Sequence, residues 1–305
     1  MQSLVDEGLL AATGRTKARE YSLVTLDRES LTLKPEGLEE HVVWQDHISS
    51  RLGSVSKEVI SIAQYAFTEI LNNAITHSRG TEILIQLSRT AATIHLGVAD
   101  NGVGIFKKLK DELGLEDERH SILELAKGKL TTNPERHTGE GIFFTTRACD
   151  KVAIVAGSLG FLHLRSGDWL MDERSPIEGT YVDMEIDCFV QVSMKDVFDR
   201  YTSTDDDFGF SRTQIPVFLA KYGDENLVSR SQAKRVVARL ERFREVVLDF
   251  DGVSTIGQAF ADEIFRVFGS ANPEIHLVCI NASHEVEQMI KRARRVRGVE
   301  QPGPL

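Results

Sequence analysis

Apolar residues recur at helical spacing in the clearest element of the chain, which runs from Ser56 to about Ser78. Serine is a favourable N-cap residue, so Ser56 is predicted to begin this helix. An apolar stripe at helical spacing is typical of a helix that faces the core of a domain. The stripe consists of Val59, Ile60, Ala63, Phe67, Ile70, Leu71, Ala74 and Ile75.

Two segments of alternating apolar and polar residues follow the helix, at 82–88 and 93–100, and a short turn joins them. This pattern predicts an antiparallel β-hairpin. The long polar stretch at 106–138 is predicted to be a functional lid, because a plain connection of this length is uncommon in a compact domain. After the lid we predict a helix in GEGIFFTTRACD whose start is marked by glycines, followed by short strands at 151–156, 161–165 and 179–187.

The polar and acidic stretch RYTSTDDDFGFS, at 200–211, shows no periodicity and is predicted to be a domain boundary. Strand and helix patterns alternate beyond it, which is typical of a small α/β domain whose helices cover its strands. The predicted strands are IPVFLA, EVVLDF and EIHLVCI, and the predicted helices are SRSQAKRVVARLERF, GQAFADEIFRVF and SHEVEQMIKRARR.

Composition indicates a globular protein of about two domains. The chain has 305 residues, of which 41% are hydrophobic and 27% charged, so each domain can bury a core. The net charge of −10 argues against a surface that binds nucleic acid by charge alone. Three widely separated cysteines indicate a reducing compartment. Since there is no signal-peptide pattern and no apolar run of about 20 residues, the protein is expected to be cytoplasmic with no membrane partner.

The first 25 residues predict the end of a helix and two short strands, which is too little to bury a core. The segment resembles the second half of a winged helix, in which wing strands follow the recognition helix. Two interpretations stay open: a remnant of a DNA-binding domain, or an N-terminal extension docked on its neighbour. The charges of the segment balance, so a phosphate-binding surface is not indicated.

Three short polar motifs occur in order along the first half of the chain. Glu69, Asn73 and His77 of EILNNAITH are spaced by four, so they project from one face of the predicted helix. DNGVGI, at 100–105, ends a strand in an acid and two glycines, and HTGEGI, at 137–142, precedes a helix. Each motif by itself is weak, but the three in this order, with a lid between the last two, form a specific combination.

In this order the motifs resemble the nucleotide-binding boxes of the GHKL ATPase superfamily, which includes gyrase, histidine kinases and anti-sigma-factor serine kinases. The resemblance covers about residues 40–187, and EILNNAITH is most similar to the serine kinases. It implies a two-layer α/β sandwich of the Bergerat type that binds ATP and Mg²⁺. No long heptad pattern precedes the first motif, so a sensor histidine kinase is not expected.

The resemblance also implies a role for each motif residue. Glu69 would orient or deprotonate the attacking water or hydroxyl, and Asn73 would hold Mg²⁺ through its amide oxygen. Asp100 would accept a hydrogen bond from the adenine amino group. The other implied contacts are Gly102 and Gly104 beneath the base and sugar, Gly139 and Gly141 at the phosphates, Thr180 in the last box, and Lys127 and Lys129 in the lid.

Residues 212–298 resemble the STAS-like domains of bacterial regulators. In the anti-sigma-factor antagonists a phosphorylated serine lies at the start of the helix that follows the strand VVLDF, but here that position reads Gly257-Gln258. The nearby Ser254 and Thr255 are alternative acceptors, although turns favour both residue types for local hydrogen bonds. At SRSQAKR a capped helix start is favoured over an anion or partner site.

The predicted domains are a winged-helix-like segment at 1–27, a GHKL ATP-binding domain at 28–190, a linker at 191–211 and a STAS-like domain at 212–300. This combination implies a cytoplasmic bacterial regulator that binds Mg-ATP and hydrolyses it, or transfers phosphate to a serine or threonine of a partner, in a partner-switching system. The partner would be a sigma-factor or antagonist-type protein, or the STAS-like domain of the chain itself. The alternative is a non-catalytic or slowly hydrolysing ATP-gated regulator of transcription, which would contact DNA only through its N-terminal segment.

Overall fold

The computed structural model describes residues 1–14, 18–130, 139–202, 209–221 and 225–295, without the side chains of residues 173 and 174. The chain divides into two compact units. The first unit is Met1–Glu118 with Thr131–Val197, and the second is Arg119–Leu130 with Phe198–Leu305.

This division differs from the predicted domains in three places: residues 1–27 belong to the first unit, the predicted linker at 191–211 is divided between the units after Val197, and residues 119–130 change unit. Residues 119–130 fall within the segment predicted as one ATP-binding domain at 28–190, but they belong to the second unit. The physical reason is burial, since every residue from Ser121 to Lys127 is buried. Residues 131–138 of the predicted lid and 203–208 of the predicted linker lie outside the described residues.

The first unit is built on a sheet in which neighbouring strands are antiparallel, in the order β3-β4-β5-β7-β6. The predicted hairpin is confirmed, because β4 pairs with β5 and Ile83 lies opposite Asp100. On its other side, β5 pairs with β7, which places Asp100 opposite Thr180. The strands are β3 (Asp27–Leu33), β4 (Ile83–Arg89), β5 (Thr93–Asp100), β6 (Lys151–Leu164) and β7 (Gly167–Asp187).

Strands β6 and β7 form one long hairpin, where the sequence predicted three short strands. The register shifts between Ala156 and Leu159, around Gly157, which has a φ of +57°. An irregularity of this kind interrupts the alternation of side chains without ending the strand. The predicted strands at 151–156 and 161–165 are therefore the two ends of β6.

Helix α3 (Lys57–His77) packs on this sheet and confirms the predicted helix. Its N-cap is Ser56, whose hydroxyl accepts a hydrogen bond of 3.2 Å from the Val59 amide. Ile60, predicted to face the core, is instead 36% exposed, because it lies about 100° around the helix from Val59. The buried face consists of Val59, Ile62, Ala63, Ala66, Phe67, Ile70, Leu71 and Ala74.

Of the remaining elements of the first unit, α2 and α6 contact α3, and α4 and α6 contact β6. The first 25 residues form α1, β1 and β2, and the two strands are antiparallel with Leu10 opposite Leu23. The bounds are α1 (Gln2–Asp6), β1 (Leu10–Thr13), β2 (Glu20–Leu23), α2 (Glu40–Val43) with its continuation to Arg51, α4 (Ile105–Leu113), α6 (Gly141–Ala148) and α7 (Met194–Asp199), whose last two residues belong to the second unit.

The second unit has a parallel sheet in the order β10-β9-β8, with helices against it. Ser229 and Gln232 form a capping box at the start of α8, which confirms the predicted cap. The elements are α5 (Glu118–Lys127), whose first residue belongs to the first unit, β8 (Arg212–Pro216), α8 (Arg230–Val237), β9 (Glu245–Asp249), α9 (Gln258–Ala261) with its continuation to Phe268, α10 (Gly269–Ala271), β10 (His276–Ile280) and α11 (His284–Arg295).

The predicted fold class is confirmed in both units: a layer of helices on an antiparallel sheet, followed by a small α/β unit. Among the described helices, none is both long and apolar enough to cross a membrane.

Candidate functional site

Asp100 ends β5 at a corner where β7 and the loop after β5 meet. The Gly102 amide donates a hydrogen bond of 2.9 Å to the Asp100 carboxylate. Thr180 also hydrogen-bonds this carboxyl group, through its backbone amide and its hydroxyl, and that hydroxyl accepts a bond of 3.0 Å from the Ile105 amide. Burial raises the pKa of Asp100, and the hydrogen bonds from Gly102 and Thr180 oppose this effect. We call Asp100, Gly102, Gly104, Gly179 and Thr180 the Asp100 corner.

The glycines of the Asp100 corner are required by close backbone contacts. A Cβ atom on Gly102 would lie 2.0 Å from the Ser78 carbonyl oxygen, and the Val103 amide bonds that same oxygen at 2.9 Å. A Cβ atom on Gly179 would lie 1.9 Å from the Asp100 carbonyl oxygen. Gly104 has a φ of +78°, a conformation that favours glycine. The loop therefore packs directly against the end of α3 and the edge of β7.

Asn101 and Gly179 also contribute to the site. Sequence reasoning gave Asn101 no role, and it included Gly179 only as the partner of Thr180 in the Gly-Thr pair of the last box. The Asn101 side-chain oxygen accepts hydrogen bonds from the amides of Thr81 and Glu82, at 2.8 and 3.1 Å. Its side-chain nitrogen donates to the Thr81 hydroxyl at 3.0 Å. Asn101 thus fixes the loop after β5 to the connection between α3 and β4. The sequence signal for Asn101 is its position within DNGVGI, and the signal for Gly179 is the Gly-Thr pair in EGTY.

Glu69 and Asn73 lie one turn apart on α3, as their spacing predicted. Helix α6 begins so close to Glu69 that a Cβ atom on Gly141 would lie 2.0 Å from a Glu69 carboxylate oxygen. Asn73 is half-buried, and its side chain has no hydrogen bond to any residue that the structure describes. The structure therefore brings Glu69 and Gly141 together, with Asn73 one turn further along the same helix.

The surroundings of Glu69 are acidic. Burial raises the pKa of Glu69, and the carboxylates of Glu40 and Glu140 raise it further. The pKa of the Tyr65 phenol is also raised, first by burial and then by Glu69 and Glu140. A cation near this group would offset the repulsion. Within the described residues, no group of three or more His, Cys, Asp or Glu side chains is arranged to hold a metal ion.

The two lysines of the predicted lid lie in the second unit. The Lys127 side chain is 2% exposed, and its ammonium group donates hydrogen bonds to a Glu124 carboxylate oxygen and to the Arg235 carbonyl oxygen, both at 2.6 Å. The Lys129 ammonium group donates to the Arg242 carbonyl oxygen at 2.9 Å. In this arrangement the Lys127 ammonium group is satisfied by protein groups of the second unit, and its predicted contact with phosphate stays a prediction. Gly139, with a φ of +69°, precedes α6 in the first unit.

Comparison with known families agrees with the geometry. Residues 33–160 match the family described as histidine kinase-like ATPase domain, and residues 232–287 match a STAS-like domain of unknown function. These matches confirm the predicted resemblance. The first match includes every predicted site residue except Thr180, which lies beyond its end. A search of the curated proteins found no match to the chain.

Proposed function

Since the chain contains an ATP-binding domain of the histidine kinase-like type followed by a STAS-like domain, we propose that it is an Mg-ATP-dependent regulator that phosphorylates a serine or threonine of a protein partner. The nucleotide would bind in the first unit. The observation that carries the proposal is the Asp100 carboxyl group, held at the end of β5 by Gly102 and Thr180.

The Asp100 corner suits adenine by hydrogen-bond polarity. A carboxylate accepts hydrogen bonds, and adenine presents an amino group where guanine presents a carbonyl oxygen. A site whose buried acceptor is left without a donor discriminates strongly against the wrong ligand. Gly102 and Gly104 add no side chain that would obstruct a ring lying beside this carboxylate. The corner would therefore select ATP over GTP.

The residues of α3 fit an Mg²⁺–triphosphate group. Mg²⁺ usually keeps several waters and binds through one or two side chains together with substrate phosphates, so the Asn73 amide oxygen is a sufficient protein ligand. When bound, the ion would neutralise phosphate charge and polarise the terminal phosphoryl group. Glu69 would accept the proton of the attacking hydroxyl, and its raised pKa makes it a stronger base than an ordinary glutamate.

The STAS-like unit of this chain is a poor acceptor at the expected position. A Cβ atom on Gly257 would lie 2.8 Å from the Val228 Cα atom, so a serine there would collide with backbone. Gly257 is the N-cap of α9, and Ser254 and Thr255 lie in the turn before it. We therefore favour an acceptor on a separate STAS-type or sigma-factor-type protein. The alternative, an ATP-gated regulator that transfers no phosphate, would use the same nucleotide site.

One experiment tests the binding and the reaction separately. ATP and GTP affinities are measured by calorimetry on the full chain, and the terminal phosphate of labelled Mg-ATP is then followed with and without an added STAS-type protein. Label on the added protein, lost in Glu69→Ala but not in the exposed control Glu36→Ala, supports the kinase. Binding of ATP without label transfer supports the gated regulator, and no preference for ATP over GTP contradicts the assignment of Asp100.

A further inference from the structure

We infer that the sheet of the first unit carries a binding site for a small molecule with an oxyanion group, a carboxylate or a phosphate. The site is a cavity of about 410 Å³ over β3, β4, β5 and β7, and the residues that line it belong to the first unit. It lies on the face of the sheet opposite α3, so the inference goes beyond the proposed nucleotide site and does not depend on it.

The two faces of this sheet differ in polarity. Side chains alternate between the two faces of a strand, and Ile83, Ile85 and Leu87 of β4 are at most 1% exposed on the face toward α3. On the opposite face, Gln86 is exposed and Ser88 is half-buried. Antiparallel sheets commonly have one solvated face, so polarity alone does not indicate a site. The indication comes from the cavity and from the arrangement of its polar groups.

Three side chains that can donate hydrogen bonds form a row across the sheet. Ser88 of β4 pairs with Arg28 of β3 on one side and with His95 of β5 on the other, and all three line the cavity. Residues directly opposite each other on neighbouring strands have Cβ atoms about 4.5–5.5 Å apart, so the three side chains can converge on one group. A guanidinium also matches carboxylate and phosphate in bidentate geometry. We call Arg28, Ser88 and His95 the Arg28 row.

Arg28 supplies the positive charge of the cavity. Within the described ranges its side chain forms no ion pair and no hydrogen bond. The neighbouring Glu29 is held by Arg51, whose guanidinium lies 2.6 Å from its carboxylate. Asp183 hydrogen-bonds the Tyr181 phenol. The carboxylates that line the cavity therefore have partners of their own, and an anion beside Arg28 meets a guanidinium rather than an existing ion pair.

His95 completes the row, and Glu185 of β7 lies directly opposite it. The Nε2 atom of His95 is 3.9 Å from a Glu185 carboxylate oxygen. A protonated imidazole donates from both ring nitrogens, so His95 can face Glu185 with one nitrogen and a bound oxyanion with the other. The row therefore offers donors from three strands to a single anionic group.

Gly97 and Tyr181 shape the cavity beside the Arg28 row. Gly97 lies in the interior of β5, where the register is unbroken and a glycine weakens the strand. A Cβ atom on Gly97 would lie 3.3 Å from the Tyr181 hydroxyl and 3.4 Å from the Gln86 Cβ atom, so the glycine lets the ring pack on the sheet. Burial, followed by the charge and the hydrogen bond of Asp183, raises the pKa of Tyr181. The cavity thus has a neutral aromatic wall.

A plain solvated face is the competing explanation, and the placement of the charges argues against it. On a face stabilised only by its own cross-strand pairs, opposite charges would lie directly opposite each other. Arg28 instead lies opposite Ser88, and the carboxylates of Asp183 and Glu185 are on β7, with β4 and β5 between. The cavity therefore separates the arginine from the acids of this face, and an anion can enter beside the arginine.

The test titrates the full chain with inorganic phosphate and, separately, with acetate. Binding is followed by NMR at the His95 ring and the Gln86 side-chain amide, which report on this face of the sheet rather than on the Asp100 corner. Arg28→Gln removes the guanidinium at an exposed position, and Ser88→Val removes the hydroxyl but keeps a residue that favours strands, so both variants are expected to fold. Lys57→Gln, which removes one positive charge at the exposed start of α3, is the matched control.

We expect saturable shifts at both groups with at least one anion, and the tighter of the two identifies the ligand group as phosphate or carboxylate. The Kd should rise roughly tenfold in Arg28→Gln, which loses a charge-assisted bond, and roughly fivefold in Ser88→Val, while the control matches the wild type. Shifts that do not saturate with either anion would overturn the inference. An unchanged Kd in Arg28→Gln would also overturn it, since the anion would then not contact the row. Neither result bears on ATP binding, so the inference and the proposed function fail separately.

Discussion

The Asp100 corner holds an ionisable group away from solvent, and so does a second region, the Lys127 cluster, which consists of His120, Glu124, Lys127 and Arg239. The two regions do so by different means. At the Asp100 corner the carboxyl group is bonded by backbone amides and one hydroxyl, and glycines let the surrounding backbone approach. In the Lys127 cluster charges neutralise one another, and the ammonium also meets two carbonyl oxygens.

This difference bears on what each region can do. Asp100 keeps some exposure and its partners are donors, so it retains acceptor capacity for a ligand. Glu124 and Lys127 are almost fully enclosed and satisfied by protein groups, so they can act on a ligand only after rearrangement. The first region is organised for recognition, and the second is organised as a satisfied polar network that holds its own elements together.

The largest effect is expected from Lys127→Met. Methionine fills a similar volume but leaves the Glu124 carboxylate and two helix carbonyls without this donor, and breaking one side of a buried ion pair typically costs about 3–5 kcal/mol. Urea unfolding of the full chain, followed by hydrogen exchange in the second unit, measures the loss. The control is Lys234→Met, at an exposed lysine of α8.

The double variant Glu124→Leu with Lys127→Met sharpens this test, because removing both charges should recover part of the stability. If Lys127→Met instead lowered ATP affinity while leaving stability unchanged, the phosphate contact expected from sequence would be right and the observed burial would not describe the functional state.

Local sequence patterns predicted the Asp100 corner, whereas contacts between residues far apart in sequence determine the surroundings of Lys127. Residues close in sequence determine the apolar stripe of α3, its Ser56 cap and the β4–β5 hairpin. The order of the motifs then indicated Asp100. Lys127 lies in a polar stretch that reads as a solvated lid. Its partners Arg235 and Ala238 lie 108 and 111 residues further along the chain, where no local periodicity indicates them.

Gly102→Ala is expected to have the next largest effect, and on the first unit. The added Cβ atom would lie 2.0 Å from the Ser78 carbonyl oxygen, so the loop after β5 must shift away from α3. Forced overpacking of this kind typically costs about 1–3 kcal/mol, and ATP binding should be lost with it. Thermal unfolding and calorimetry measure the two effects.

Gly209→Ala is the control for that variant, because a Cβ atom there meets no atom of the described residues within 4 Å and the φ is not positive. Its stability and ATP affinity should match those of the wild type. Full ATP affinity in Gly102→Ala would show that the contact with Ser78 does not position the Asp100 corner.

Asp100→Asn is expected to act on binding more than on folding. The amide keeps the shape of the carboxyl group but weakens the charge-assisted acceptor, at a cost of about 2 kcal/mol or roughly thirtyfold in Kd for ATP. The preference for ATP over GTP should shrink by a similar factor. Calorimetry checks both values, with Asp183→Asn on β7 as a half-buried control. Equal losses in the two variants would argue against a specific role for Asp100.

The smallest effect expected is a change in pH dependence from Glu69→Gln. Burial, followed by Glu40 and Glu140, raises the pKa of Glu69 above its ordinary 4.5. The folded chain therefore takes up this proton at a higher pH than the unfolded chain, so Glu69 adds stability as the pH falls through its folded pKa, and the gain is complete below its unfolded value. The glutamine variant removes that gain, so its stability should rise less between neutral pH and about 4.5.

Glu36→Gln, at an exposed glutamate, should leave the pH profile of stability as it is in the wild type. The same profile connects Glu69 to the proposed metal site. A cation held by Asn73 would offset the repulsion among these carboxylates and lower the pKa of Glu69, so saturating Mg-ATP should flatten the wild-type profile toward that of Glu69→Gln. A profile that ATP leaves unchanged would separate Glu69 from the bound ion and limit the nucleotide contacts to the Asp100 corner.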